Sequence, residues 1–121
     1  SVLLYVRMGA HTLIHKRTED DIWKNLFELP LVETEKDLSE EEFLACPQFH
    51  ALFAEGEVRM VRTLLRGVKH VLSHRVIYTN FYEVTLPDNS SSFSSYQRVA
   101  VEDLGRYAVP RLIHAFLEKY V

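Results

Sequence analysis

From Val58 to Leu86 the chain is rich in valine, leucine, isoleucine, threonine and tyrosine. Branched and aromatic residues suit a pleated, half-buried surface, so this stretch predicts at least two strands, with Gly67 as the break between them. A core sheet is thereby demanded, and the rest of the chain must cover it. Ser1 to Arg7 is apolar and β-prone, Met8-Gly9-Ala10 offers a turn, and Thr12 to Arg17 resumes as a second strand, which reads as a hairpin. Thr18 to Asp21 supplies a polar loop or helix cap. Ile22 to Pro30 follows, with Trp23 and Phe27 expected in the core and Pro30 closing the stretch.

Helical signals fall between and after the strands. Ser39-Glu40-Glu41-Glu42 matches a capping box, which starts a helix running to about Ala45. Pro47 cannot sit deep inside that helix, so a second one is expected from Pro47 to Phe53, with Cys46 at the junction. Asp88 to Ser92 reads as a solvent loop after Pro87, Tyr96 to Val101 as a short final strand, and Asp103 to Arg106 as a turn. Pro110 suits the first turn of a closing helix whose apolar positions Ile113, Phe116, Leu117 and Tyr120 recur at helical spacing. The expected class is α+β, a mixed β-sheet flanked by helices, in a single domain over residues 1–121.

Charge and cysteine content exclude several functions. The net charge of -3 does not mark a free-standing nucleic-acid binder. Its distribution is uneven, however: acids dominate from Glu33 to Glu57, whereas Arg59, Arg62, Arg66, Lys69 and Arg75 follow with no carboxylate among them. Cys46 is the only cysteine, which excludes an internal disulfide, a cysteine-only zinc site and an iron–sulfur cluster held by this chain alone. A reducing cytoplasm fits that usage. No apolar run is long enough to span a bilayer. The chain begins in an apolar segment without an initiator methionine, as expected of a domain cut from a longer protein.

The polar run Lys69-His70-Val71-Leu72-Ser73-His74 concentrates the chemistry where a strand begins. The four glycines, at 9, 56, 67 and 105, are too dispersed for a dinucleotide or Walker loop. His70-x3-His74 has helical ligand spacing but lacks the zincin glutamate, and on a strand the two side chains lie roughly 13 Å apart. Ser73 and His74 as strand neighbours would point to opposite faces and could not share a proton. The glutamates 40 to 42 are explained by the helix cap. What the run does suit is recognition. Ser73 can donate and accept, His70 and His74 can contact phosphate, Leu72 can wedge against a base, and Arg66, Lys69 and Arg75 can neutralise backbone charge.

In this order the residues resemble the C-terminal domain of the MutY family of adenine DNA glycosylases, over nearly the whole length. The resemblance rests on Leu13-Ile14-His15-Lys16-Arg17 followed by Ile22-Trp23-Lys24-Asn25-Leu26-Phe27-Glu28-Leu29-Pro30, on His70-Val71-Leu72-Ser73-His74, and on Tyr107-Ala108-Val109-Pro110. It implies a Nudix-like fold that has lost hydrolysis and checks duplex DNA for 8-oxoguanine opposite adenine. Ser73 would then hydrogen-bond the oxidised guanine, Leu72 would occupy the place of a wedging phenylalanine, and His74 would support the loop or a phosphate. Asn25-Leu26-Phe27 stands where the family has Gly-Leu-Trp. The catalytic carboxylates and the iron–sulfur cluster would belong to a catalytic domain of the same polypeptide, leaving this chain without catalytic residue, metal or cofactor of its own.

Two other functions stay open on the sequence. An active Nudix hydrolase of the same fold needs a box beginning Gly-x5-Glu, because a glutamate-rich helix must hold magnesium on a diphosphate. The residues six beyond the four glycines are His15, Arg62, Ser73 and Arg111, and none is glutamate. A protein-docking module would use the acidic segment from Glu33 to Glu57 to meet a repair partner.

Overall fold

The computed structural model describes residues 1–121. Its elements in chain order are β1 (Val2–Arg7), β2 (His11–Lys16), β3 (Phe27–Glu28), β4 (Leu31–Val32), α1 (Glu40–Ala45), α2 (Pro47–His50), β5 (Met60–Val71), β6 (Val76–Thr85), β7 (Gln97–Ala100), a 3-10 turn at Val101–Arg106, and α3 (Arg111–Tyr120). They form a four-stranded sheet in the order β4-β1-β6-β5 and a three-stranded sheet in the order β3-β2-β7. The larger sheet is mixed: β1 runs parallel to β6, while its other pairs are antiparallel. The α+β class with a mixed sheet is what the sequence predicts.

Five consecutive residues of β1, Val2 to Val6, are buried, which happens only when both faces of a strand are covered. Val2, Leu4 and Val6 face one core, shared with Tyr82 and Val84 of β6 and with Phe43 and Phe49 of the two short helices. Leu3 and Tyr5 face the other, shared with Phe81 and with Ile113 and Phe116 of α3. Stacked ring pairs close each side: Phe43 on Tyr82 at 4.9 Å and Phe81 on Phe116 at 4.4 Å. Burial pushes the Tyr82 phenol up from its ordinary pKa, against the pull of the Arg66 guanidinium.

The capping box forms as expected. Glu42 N donates to Ser39 Oγ at 3.1 Å, and Ser39 N donates to Glu42 Oε1 at 3.0 Å, which holds the Glu42 carboxyl below the usual range. Cys46 does join two helices, but the second stops at His50, short of Phe53.

Four expectations need correction. β1 and β2 do not form a hairpin beyond the Met8–His11 bridge; they diverge into different sheets, because β1 finds its partner in the distant β6. Gly67 does not separate two strands. It sits inside β5 at φ +64°, where the register slips between Leu65 and Val68, so it is a bulge. Trp23 and Phe27 are only half-buried; the Trp23 ring lies 5.7 Å from the Arg17 guanidinium, and Phe27 packs edge-on against Tyr107. The serine loop is not simply solvated either, since Ser92 is buried.

That loop is anchored by one carboxylate. Glu57 accepts from Ser90 Oγ at 2.6 Å, Ser92 Oγ at 2.7 Å and Ser91 N at 3.3 Å. The Ser90 hydroxyl, then that of Ser92, holds the Glu57 carboxyl below its ordinary pKa. A depressed carboxylate adds stability above its unfolded-state pKa and loses it as pH falls through the folded value. Glu57→Gln is therefore expected to lower the urea midpoint at neutral pH, and the gap from the parent should close on acidification through the carboxylate range. Equal midpoints at neutral pH would remove this role.

Candidate functional site

β5 and β6 form one hairpin, and its outer part leaves the sheet. The first rung between β1 and β6 is Val2 with Asn80, so Val76 to Thr79 have no strand beside them except β5. Here the rungs Val68–Thr79, Lys69–Tyr78, His70–Ile77 and Val71–Val76 make a two-stranded ribbon. Ser1 touches its root, through Oγ on Thr79 Oγ1 at 3.0 Å and N on the Tyr78 carbonyl at 3.3 Å, and Val68 packs there against the second core.

Alternation along the ribbon gives it two unlike faces. Lys69, Val71, Val76 and Tyr78 are exposed, Val71 and Tyr78 at 65% and 57%. On the opposite face Val68, His70 and Ile77 are half-buried and Thr79 is buried. This second face borders a cleft of about 130 Å³, whose other walls include Trp23, Arg17, Pro110 and Leu112. The far wall is braced by Glu28, which takes His15 Nε2 at 2.6 Å and Arg17 Nη1 at 2.9 Å. Its carboxylate is the main reason the Arg17 pKa is raised.

The ribbon ends at Leu72 to Arg75. Leu72 N donates to the Arg75 carbonyl at 2.8 Å, leaving Ser73 and His74 as the two central residues, both exposed. Neither has positive φ, so the turn is not of the primed kind that matches strand twist in most two-residue hairpins. No hydrogen bond or ion pair holds the side chains of Lys69, His70, Ser73, His74 or Arg75. They are available to a ligand.

The structure thus brings together Leu72, Ser73, His74 and Arg75 at the tip and Lys69 and His70 on the shaft. It corrects the expectation that Ser73 and His74 are strand residues: they occupy a turn, and strand geometry does not describe their separation. Lys69 and His70 lie on opposite faces. Arg66 is not with the others. It sits before the bulge and donates to Tyr82 Oη at 2.9 Å, the Leu38 carbonyl at 3.0 Å and Asp37 at 3.5 Å, which ties the ribbon root to the segment entering α1. Sequence reasoning misses the exposed Val71, Val76 and Tyr78, whose alternation with His70 and Ile77 is the signal that could have found them.

On α1, Glu40 and Glu41 are exposed and Glu42 serves the cap. Nowhere do three histidine, cysteine, aspartate or glutamate side chains converge as a metal site requires. No helix is long and apolar enough to cross a membrane.

No curated protein matches this chain. Among solved structures the fold is similar to that of a Nudix hydrolase from M. smegmatis, RenU, with a TM-score of 0.62 and 10% identity, covering 98% of this chain and 79% of that one. Likeness at such low identity concerns the fold alone. The NUDIX domain model, in contrast, matches the sequence itself across residues 1–119, and the two-core architecture around a mixed sheet agrees with it: the chain belongs to the NUDIX domain family.

Proposed function

We propose that this domain reads 8-oxoguanine opposite adenine in duplex DNA for an adenine glycosylase, and that it has no hydrolytic activity of its own. Base cleavage, its carboxylates and the iron–sulfur cluster belong in this reading to a catalytic domain of the same polypeptide. One observation carries it: the tip of a projecting ribbon presents Ser73 and His74 with no partner in the chain, flanked by the unpaired cations Lys69 and Arg75.

The chemistry matches the task. Oxidation of guanine adds a carbonyl acceptor at C8 and converts N7 from an acceptor into a donor. A hydroxyl can donate to the first or accept from the second, so Ser73 can respond to the change at a base edge. Lys69, Arg75 and His74 would hold phosphates, which fixes register without reading sequence. Leu72 is half-buried beside the tip and can press an apolar edge between bases.

In the glycosylase polypeptide carrying this domain, Ser73→Ala is expected to reduce discrimination between adenine opposite 8-oxoguanine and adenine opposite guanine by about fivefold. That corresponds to a hydrogen bond worth on the order of 1 kcal/mol. Unchanged discrimination would sink the role of Ser73. The fold shared with RenU keeps a Nudix-type hydrolase as a second reading, and magnesium-dependent hydrolysis of a nucleoside triphosphate by this chain would establish it instead. Salt-insensitive binding to a repair protein, without affinity for DNA, would favour a docking module.

A further inference from the structure

Asn80 is 5% exposed in the middle of a strand, a position where a branched apolar residue fits better and an amide is costly unless satisfied. Both polar atoms of its side chain have a partner. Asn80 Oδ1 accepts from the Gly67 amide at 2.7 Å, and Nδ2 donates to Asp37 Oδ1 at 2.9 Å. The amide orientation is forced, because Gly67 N can only donate and the carboxylate can only accept.

The location gives this contact leverage. Gly67 is the bulge of β5, and its left-handed φ of +64° is the reason for glycine there, since a Cβ would meet nothing within 4 Å. Asn80 is also the β6 residue paired with β1 that lies nearest the tip. One side chain therefore joins the bulge, the last braced rung and the segment entering α1, at the point where the ribbon leaves the sheet. Asp37 is in turn approached by Arg66, which also holds the Leu38 carbonyl.

From these contacts we infer that Asn80 is a positioning residue: it clamps the Gly67 bulge to the Asp37 segment and so sets the angle at which the ribbon presents its tip. Six residues separate Asn80 from His74, roughly 20 Å of strand. A pivot of about 10° at the root moves the tip by roughly 3 Å, more than the difference between a hydrogen bond and none. The consequence for lesion reading rests on the function proposed above; the clamp itself does not.

The test exchanges donor and acceptor. Asn80→Asp keeps the acceptor for Gly67 but sets a second carboxylate against Asp37. Asp37→Asn restores a donor, so N80D/D37N rebuilds the clamp with its polarity reversed, and D37N alone leaves an oxygen for Asn80. Residual dipolar couplings of the amides from 68 to 78, referred to those of β1 and β6, read the ribbon angle in the 121-residue chain. Discrimination between adenine opposite 8-oxoguanine and adenine opposite guanine is measured beside them in the glycosylase polypeptide. N80D should shift the ribbon couplings alone and lower discrimination by about fivefold, a hydrogen bond's worth. D37N should resemble the parent, and the double variant should recover both signals.

Unchanged ribbon couplings in N80D, or no recovery in the double variant, overturn the clamp. Should N80D not fold, Asp37→Ala, at an exposed carboxylate, decides the same question: it must shift the ribbon couplings, and unshifted couplings overturn the clamp. If N80D moves the ribbon while Ser73→Ala leaves discrimination intact, the lesion-reading function fails and the clamp stands. If Ser73→Ala lowers discrimination and N80D changes neither signal, the clamp fails and the reading function stands.

Discussion

Exchanging Ser73 and His74 for asparagine and glycine is expected to make the domain more stable by about 0.5–1 kcal/mol while removing most of the lesion discrimination proposed for it. The two effects share one cause. A two-residue hairpin loop prefers a primed turn, with positive φ at the first central position or at both, because such a turn follows the right-handed twist of its strands. Ser73 and His74 lack positive φ, and the tip is closed by the Leu72 to Arg75 hydrogen bond. Asn-Gly would relax the turn and tighten the rungs Val71–Val76 and His70–Ile77. It would also delete the hydroxyl and imidazole that the proposed function offers to DNA. Discrimination should fall more than tenfold, that is by more than about 1.4 kcal/mol, beyond Ser73→Ala alone. Urea unfolding of the chain gives the first quantity, and the ratio of adenine release opposite 8-oxoguanine and opposite guanine gives the second. Retained discrimination would show that the tip does not read the lesion.

An unfavourable turn at the tip of a projecting ribbon explains why the site is only partly legible in the sequence. Ser73 and His74 contain none of the glycine, proline or aspartate signals that announce a turn, whereas Gly67 does, so sequence reasoning puts the break at the wrong residue. Glycine in a β-rich run is compatible with a break or a bulge, and the choice depends on what strand lies opposite. The capping box at Ser39 and the periodicity of α3 are legible because their partners are three or four residues away. Asn80 is silent for the opposite reason: its partners lie 13 and 43 residues distant. The unbroken apolar run Val2 to Val6 marks a strand but not its neighbour, and β1 accordingly leaves its apparent hairpin partner for β6. Arg66 reads as part of a basic block, yet its guanidinium serves Tyr82 and Leu38.

Phe81→Ala should cost about 3–5 kcal/mol, the range for deleting a large aromatic from a core that cannot collapse. Phe81 is 0% exposed and stacks 4.4 Å from Phe116 with planes 6° apart. Phe116 in turn meets Tyr5 edge-on at 5.7 Å and stacks on Tyr120 at 5.2 Å. Tyr120 Oη donates to the Leu64 carbonyl at 3.1 Å, so this aromatic row ties α3 to β5 across the sheet. Alanine would leave a void between β6 and α3 that neither rigid element can fill. Because total stability in a domain is usually about 5–15 kcal/mol, the variant should have a much lower urea midpoint with an unchanged slope. Phe81→Leu keeps most of the volume and should cost less than half as much. The loss also bears on the site, since β6 continues from Phe81 through Asn80 into the ribbon. On the proposed function, the variant near its own unfolding threshold should bind lesion DNA weakly and regain binding when cooled below its midpoint. A shift in midpoint equivalent to less than about 1 kcal/mol would show that α3 does not hold the sheet through this row.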